Sequence, residues 1–287
     1  MFAQTMADRN NTEMTKGTPF GRFYLHELIS NGAMAEIWLA SDAEDRNFAL
    51  RRLYNTSIFG RKTKKLFTRG CEILAALQPH PYIIGYHESG KIDGQLYALL
   101  DYVEGHNLKL APMRCPDVIE YYVGNILIDS AIGLEHIHDK GFIHLDFKPE
   151  NIMVTLDGDV RLIDFDLAEE KPDKPRKMDK HSGTPAYMAP EQLQKQPLDE
   201  RADIFAFGVT AYELLTNKKP FNGDTQEEVV RRHLDPNFQI PSPRQHNPEI
   251  PVALEKTVLK CLERDPDKRY PYMSVLVRDL KTALYVD

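Results

Sequence analysis

The chain has 287 residues, 42% hydrophobic and 28% charged, a mixture that supports a packed core and excludes wholesale disorder. Its net charge of −7 disfavours a general nucleic-acid binder, and no run approaches the ~18 apolar residues that a membrane helix needs. Three widely spaced cysteines, Cys71, Cys115 and Cys261, signal neither a disulfide framework nor a zinc site, so they are read as small buried hydrophobes.

Residues 1–19 are polar, end at Gly17-Thr18-Pro19 and read as a flexible leader, without the basic-then-apolar order of an export signal. The chain is therefore expected to be soluble and cytoplasmic, with folding from near Phe20. Short alternating runs predict strands around residues 23–28, 36–40, 48–53 and 96–103. One helix over residues 62–77, with Leu66, Phe67, Ile73 and Leu74 at helical spacing, is stopped by Pro79 and Pro81. Residues 20–103 thus imply a small sheet carrying one helix. Residues 104–287 read as mostly helical, with helices near 118–139, 202–216, 225–234, 252–263 and 273–285. Between the first two of these lies a polar stretch, residues 141–197, too long for a mere connector and so expected to carry function.

That stretch contains His144-Leu145-Asp146-Phe147-Lys148-Pro149-Glu150-Asn151 and, after two strand-like runs, Asp164-Phe165-Asp166. The spacing brings Asp146, Asn151 and Asp164 to one edge of a hairpin, and two carboxylates with an amide oxygen suit Mg²⁺. The pattern resembles the catalytic and metal-binding loops of eukaryotic-like (Hanks-type) Ser/Thr protein kinases, H-R-D-L-K-x-x-N and D-F-G, with a bacterial look. Residues 183–191, GTPAYMAPE, look like that family's substrate-binding loop, and residues 203–208 like its buried central helix. The likeness spans about residues 20–287. It implies an α+β, bilobal fold: a small, mainly antiparallel N-lobe over residues 20–103 and a larger helical C-lobe over residues 104–287, together one domain.

By the same resemblance Asp146 is the catalytic base, Lys148 the cation that neutralises the transferring phosphoryl group, and Asn151 and Asp164 the Mg²⁺ ligands. Thr184 belongs to the substrate loop, and Arg269 pairs with Glu191. His144 and Phe165 are expected in packed core with Leu74. ATP is expected between the lobes, with adenine against Ile37 and Ala49 on one side and Met153 on the other. Leu100 is the gatekeeper, and Asp101 and Val103 offer hinge backbone.

The upstream half departs from the pattern. In the phosphate-covering loop, Ser30-Asn31-Gly32-Ala33-Met34-Ala35, Gly32 alone remains of three glycines, and side chains at Ser30 and Ala35 limit close approach to phosphates. Arg51 stands where the family has a phosphate-binding lysine; strand alternation puts it on the face of Ala49 and turns Arg52 away. The glutamate that should pair with that lysine falls at Gly70, and Glu72 lies about 200° around the helix from the required direction. Leu145 replaces an arginine that gathers an activation-loop phosphate, so no phosphorylation switch is expected, and Ser182 is the sole hydroxyl between Asp164 and Gly183. Asp166 replaces the D-F-G glycine. If the segment is extended, Asp166 shares a face with Asp164 and adds a metal ligand; an equal alternative is that it repels phosphate.

Three readings compete. Asp146, Lys148, Asn151, Asp164 and Thr184 favour a kinase acting on protein hydroxyls, made weak by Arg51, Gly70 and Asp166. Those same departures, with Ser30 and Ala35, suit a pseudokinase that binds nucleotide or a regulated partner protein. Residues 162–166, LIDFD, also resemble small-molecule phosphotransferases, against which the peptide-docking loop at 183–191 argues.

Overall fold

The computed structural model describes residues 17–32, 34–54, 60–177 and 183–284. Ala33, Ser182 and most of the expected leader lie outside them. The chain divides into two compact units, the first running to Gly60 and taking in His87–Tyr102, the second formed by Arg61–Tyr86 and Val103–Asp287.

The first unit is a six-stranded antiparallel sheet in the order β1-β2-β3-β4-β6-β5. Its strands are β1 (Thr18–Phe20), β2 (Phe23–Asn31), β3 (Ala35–Ser41), β4 (Asn47–Leu53), β5 (Tyr86–Ile92) and β6 (Gln95–Asp101). Period-two patterning sends Phe20, Phe23, Leu25, Ala40, Phe48, Leu50, Tyr97 and Leu99 into one core against Trp38 and Ile92. The opposite face of the central strands carries Ile37 paired with Arg51, and Ala49 paired with Leu100. Arg52 points the other way, to Glu36 at 2.6 Å, with its guanidinium over the rings of Phe20 and Trp38. Among the described residues the first strand begins at Thr18, two residues before the expected point. The edge strand β5 is an addition to the four expected strands.

The second unit opens with α1 (Gly60–Ala76), which buries Leu66, Phe67, Gly70, Cys71 and Ile73. The chain beyond α1 joins the same unit: the Leu77 carbonyl bonds His136 at 2.7 Å, and Leu162 donates to the Tyr82 carbonyl at 2.8 Å. Next come β7 (Gly105–Asn107), α2 (Ala111–Arg114), α3 (Pro116–Asp139), β8 (Phe142–Ile143), β9 (Ile152–Thr155), β10 (Val160–Leu162) and β11 (Glu169–Glu170). The unit is completed by α4 (Pro190–Leu193), α5 (Arg201–Thr216), α6 (Gln226–Leu234), α7 (Val252–Cys261) and α8 (Met273–Leu284).

The long helix α3 starts on Pro116 and Asp117 and ends on His136 and His138, residues that suit a helix N- and C-terminus respectively. Helix α5 is apolar almost all round, burying Ile204, Phe205, Phe207, Val209 and Tyr212, which makes it the central core helix. It stops at Asn217, in the left-handed conformation with φ 55°. No helix among the described residues is long and apolar enough to cross a membrane.

Candidate active site

Two small antiparallel sheets shape the site in the second unit. Strands β9 and β10 form a hairpin with Ile152 opposite Leu162, and Ile163 donates to the Asn151 carbonyl at 2.9 Å. Asn151 and Asp164 therefore flank the same end of the hairpin, where the sequence put them. Strand β8 pairs with β11, Ile143 opposite Glu169, so the loop leaving β8 toward Asp146 and the segment leading from Asp164 to β11 share an anchor.

Beneath the catalytic loop, Asp203 of α5 is fully buried and accepts the amides of His144 and Leu145, both at 2.8 Å, and His138 Nε2 at 2.8 Å. Burial pushes its carboxyl up, but the hydrogen bonds from His138 and the His144 amide outweigh this and hold it below the ordinary carboxylate value. This anchor holds Leu145 in the left-handed conformation, φ 61°, and buried. His144 is buried against the rings of Phe147 and Phe165, as expected for a packing residue.

Above this floor Lys148 Nζ donates to Asp146 Oδ2 at 2.7 Å and to Thr184 Oγ1 at 2.8 Å, joining the expected base, the expected cation and the substrate loop. Asn151 donates its amide hydrogens to the Asp146 carbonyl at 2.9 Å and Asp146 Oδ2 at 3.1 Å, which turns its Oδ1 the other way. That oxygen and the Asp164 carboxylate are the hard donors a Mg²⁺ ion takes. No group of three or more His, Cys, Asp or Glu side chains among the described residues converges as metal ligands. One amide oxygen and one carboxylate suit an ion that keeps a few protein ligands and fills its shell with phosphate oxygens and water.

Asp164 has φ 62°, so the segment is not extended there, and the alternation that would turn Asp164 and Asp166 to one face is broken. This removes the geometry on which a metal-binding Asp166 depended. Asp166 is instead 4% exposed, beside α1: a Cβ built on Gly70 would lie 2.8 Å from its Oδ1 and 3.1 Å from its amide nitrogen. A side chain at 70 would therefore meet Asp166 and the backbone before it, so the position aligned with the family's glutamate does not take a Cβ without a shift of its neighbours. Arg69, the neighbouring residue, reaches Glu169 at 2.5 Å and the Asp166 carbonyl at 3.3 Å. Glu72 is exposed, as its angular position implied.

Further from the catalytic loop, Glu191 and Arg269 form the expected pair, bidentate at 2.7 and 2.8 Å and buried. Val103 and Met153 are half-buried in this unit, Met153 in β9 between Asn107 and Arg161. In the first unit, Ser30 and Gly32 sit at the tip of the β2–β3 hairpin, closed by Gly32 donating to the Ala35 carbonyl at 3.0 Å. Ile37, Ala49, Arg51 and Leu100 share its half-buried sheet face, and Asp101 ends β6 bonded to His87 at 2.7 Å.

Sequence reasoning missed the roles of His138, Arg69 and Glu169. His138 had a faint signal, a histidine in the last turn of a helix that buries its neighbours; the other two had none.

The fold and this loop arrangement define a phosphotransferase of the protein kinase class. The family model for the protein kinase domain matches residues 23–280, and the chain belongs to that family. It is 30% identical to the serine/threonine-protein kinase PrkC of Bacillus subtilis over 93% of this chain and 41% of that protein. It is 32% identical to the tyrosine-protein kinase MasK of Myxococcus xanthus, over 93% of this chain and 43% of that one. To the serine/threonine-protein kinase PknE of Mycobacterium tuberculosis it is 33% identical, over 95% and 47%. The chain thus spans less than half the length of these relatives. Membership bears out the expected α+β kinase fold and implies ATP, a divalent metal and protein substrates.

Proposed function

We propose that residues 20–287 act as one catalytic domain of a protein serine/threonine kinase, transferring the γ-phosphoryl group of ATP to a protein hydroxyl. The observation that carries this reading is Lys148 bridging Asp146 and Thr184, which sets a base, a cation and the peptide-docking loop around one point. Asp146 accepts the proton of the substrate hydroxyl as its oxygen bonds the γ-phosphorus and the bond to the β-phosphate oxygen breaks, releasing ADP. Lys148 holds charge on the transferring phosphoryl oxygens, and Thr184 fixes the lysine and the loop that receives the peptide. Asn151 Oδ1 and Asp164 hold Mg²⁺, which when bound neutralises the phosphates. On the strand side Ile37, Ala49 and Leu100 offer apolar surface to adenine, Asp101 and Val103 backbone groups, and Arg51 a cation for the phosphates, with Met153 a second apolar contact. A cytoplasmic location, where ATP is supplied, fits this reading.

The test is transfer of label from γ-labelled ATP to a generic protein substrate beside small alcohols. Protein labelling that Asp146→Asn reduces by at least 10²-fold supports the reading. Labelling unchanged by Asp146→Asn, or confined to the alcohols, overturns it.

A further inference from the structure

Two departures from the kinase pattern meet in space. Gly70 lacks the carboxylate expected on the helix, and Asp166 adds one where a glycine is expected. The Asp166 carboxylate fills the volume into which a side chain at 70 would project, 2.8 Å from a Cβ built there, closer than real Cβ contacts come. A helix-interior glycine is destabilising relative to alanine, so Gly70 needs a reason, and the nearly buried Asp166 beside it, 4% exposed, supplies one. Together they conserve one carboxylate at the junction of α1 with the segment after β10, reached from the loop instead of the helix. Arg69 holds that geometry by bonding the Asp166 carbonyl and Glu169, which fixes the backbone from which the side chain reaches toward Gly70.

We propose that Asp166 is the positioning residue that replaces the helix glutamate of the family, and that Gly70 is the vacancy that admits it. The inference rests on the kinase reading and changes one part of it: the carboxylate that the family carries on the helix is supplied, within the same unit, by the segment after β10.

The experiment is a residue exchange, followed by thermal melting and by calorimetric affinity for MgADP. Gly70→Ala is expected to lower the melting temperature in the parent and to lower it less in Asp166→Gly, because removing the carboxylate relieves the 2.8 Å contact and leaves those of 3.1 Å to the backbone of Phe165 and residue 166. Asp166→Asn, which keeps the shape without the charge, is expected to weaken MgADP by about tenfold or more at unchanged melting temperature. The exchange variant Gly70→Glu with Asp166→Gly is expected to recover most of that affinity, whereas Gly70→Ala with Asp166→Gly is not. Parental affinity in Asp166→Asn would overturn the proposal, as would an exchange variant that melts like the parent and still binds weakly. A parent that binds no MgADP would overturn the kinase reading and this proposal with it, whereas the other two failures leave the kinase reading standing.

Discussion

Arg269 uses all five of its N–H groups. Nη1 donates to Glu191 at 2.7 Å and the Arg201 carbonyl at 2.9 Å, Nη2 to Glu191 at 2.8 Å and the Arg264 carbonyl at 3.1 Å, and Nε to the Glu263 carbonyl at 2.7 Å. A lysine has three donors and no fork, so it cannot reproduce this set. Arg269→Ala strands a buried carboxylate and should lower the unfolding free energy by about 3–5 kcal/mol, with Arg269→Lys recovering little. Denaturant titration reads this directly; a loss below ~1 kcal/mol would show that Glu191 finds another partner. The pair was legible before the structure through motif likeness alone, since no local pattern links residues 78 apart. Of the carbonyls that complete it, that of Arg201 was not legible, because it is set by where α5 ends up, while those of Glu263 and Arg264 come from the turn just before Arg269.

Helix α1 and the segment from Asp164 to β11 are joined by Arg69 and Glu169, each about a quarter exposed. A pair so placed contributes little to global stability, under ~1 kcal/mol. Its effect is local: Glu169→Ala should speed amide exchange at β8 and β11 while leaving the unfolding midpoint nearly fixed. Unchanged exchange at both strands would show that the ion pair does not hold the segment. With Leu145 buried where a phosphate-gathering arginine would be, phosphatase treatment should leave transfer activity within about twofold, whatever happens at Ser182. The long elements were readable in advance because a helical period or a long apolar run extends over many residues, as in α8 and α5 respectively. Strand β5, YHESGKI, escaped notice because its burial alternates only between exposed and half-buried, so its polar and apolar residues carry little contrast. Strands β7, β8 and β11 have two or three residues each and exist only through partners far along the chain.

For the molecule as a whole, acid sensitivity has an identifiable source. His233 is fully buried against Phe221, with ring centroids 4.0 Å apart, and neither of its ring nitrogens has a well-aligned partner among the described residues. Burial pushes its imidazole down to about 4, only partly opposed by the backbone of Met188 and Ala186 nearby. Between the ordinary value of about 6.5 and about 4, the unfolded chain binds a proton that the folded one refuses. Stability from this group is therefore complete above pH ~6.5 and falls as the pH drops toward 4, by on the order of 3 kcal/mol. His233→Phe should flatten the unfolding free energy across that interval, and a variant with undiminished pH dependence would assign it elsewhere. Since His233 lies beside the backbone of Ala186 and Met188, this dependence is centred on the segment proposed to dock the peptide. No sequence signal marked it: the residue reads as one more polar position in the QEEVVRRHL helix, and only the packing of Phe205 and Phe221 around it makes it a core residue.

Cys71 follows Gly70 on α1 and is 5% exposed, while Cys261 is wholly buried at the end of α7, its thiol pushed up by that burial. Cys115, at the start of α3, is half-buried. The three thiols therefore form a built-in set of clocks. An alkylating reagent in excess will mark Cys115 first, and will mark Cys71 and Cys261 only as fast as their surroundings open. If α1 opens apart from the rest of its unit, Cys71 is modified well before Cys261, and the ratio of the two rates gives the difference between the free energies of the two openings without any added probe.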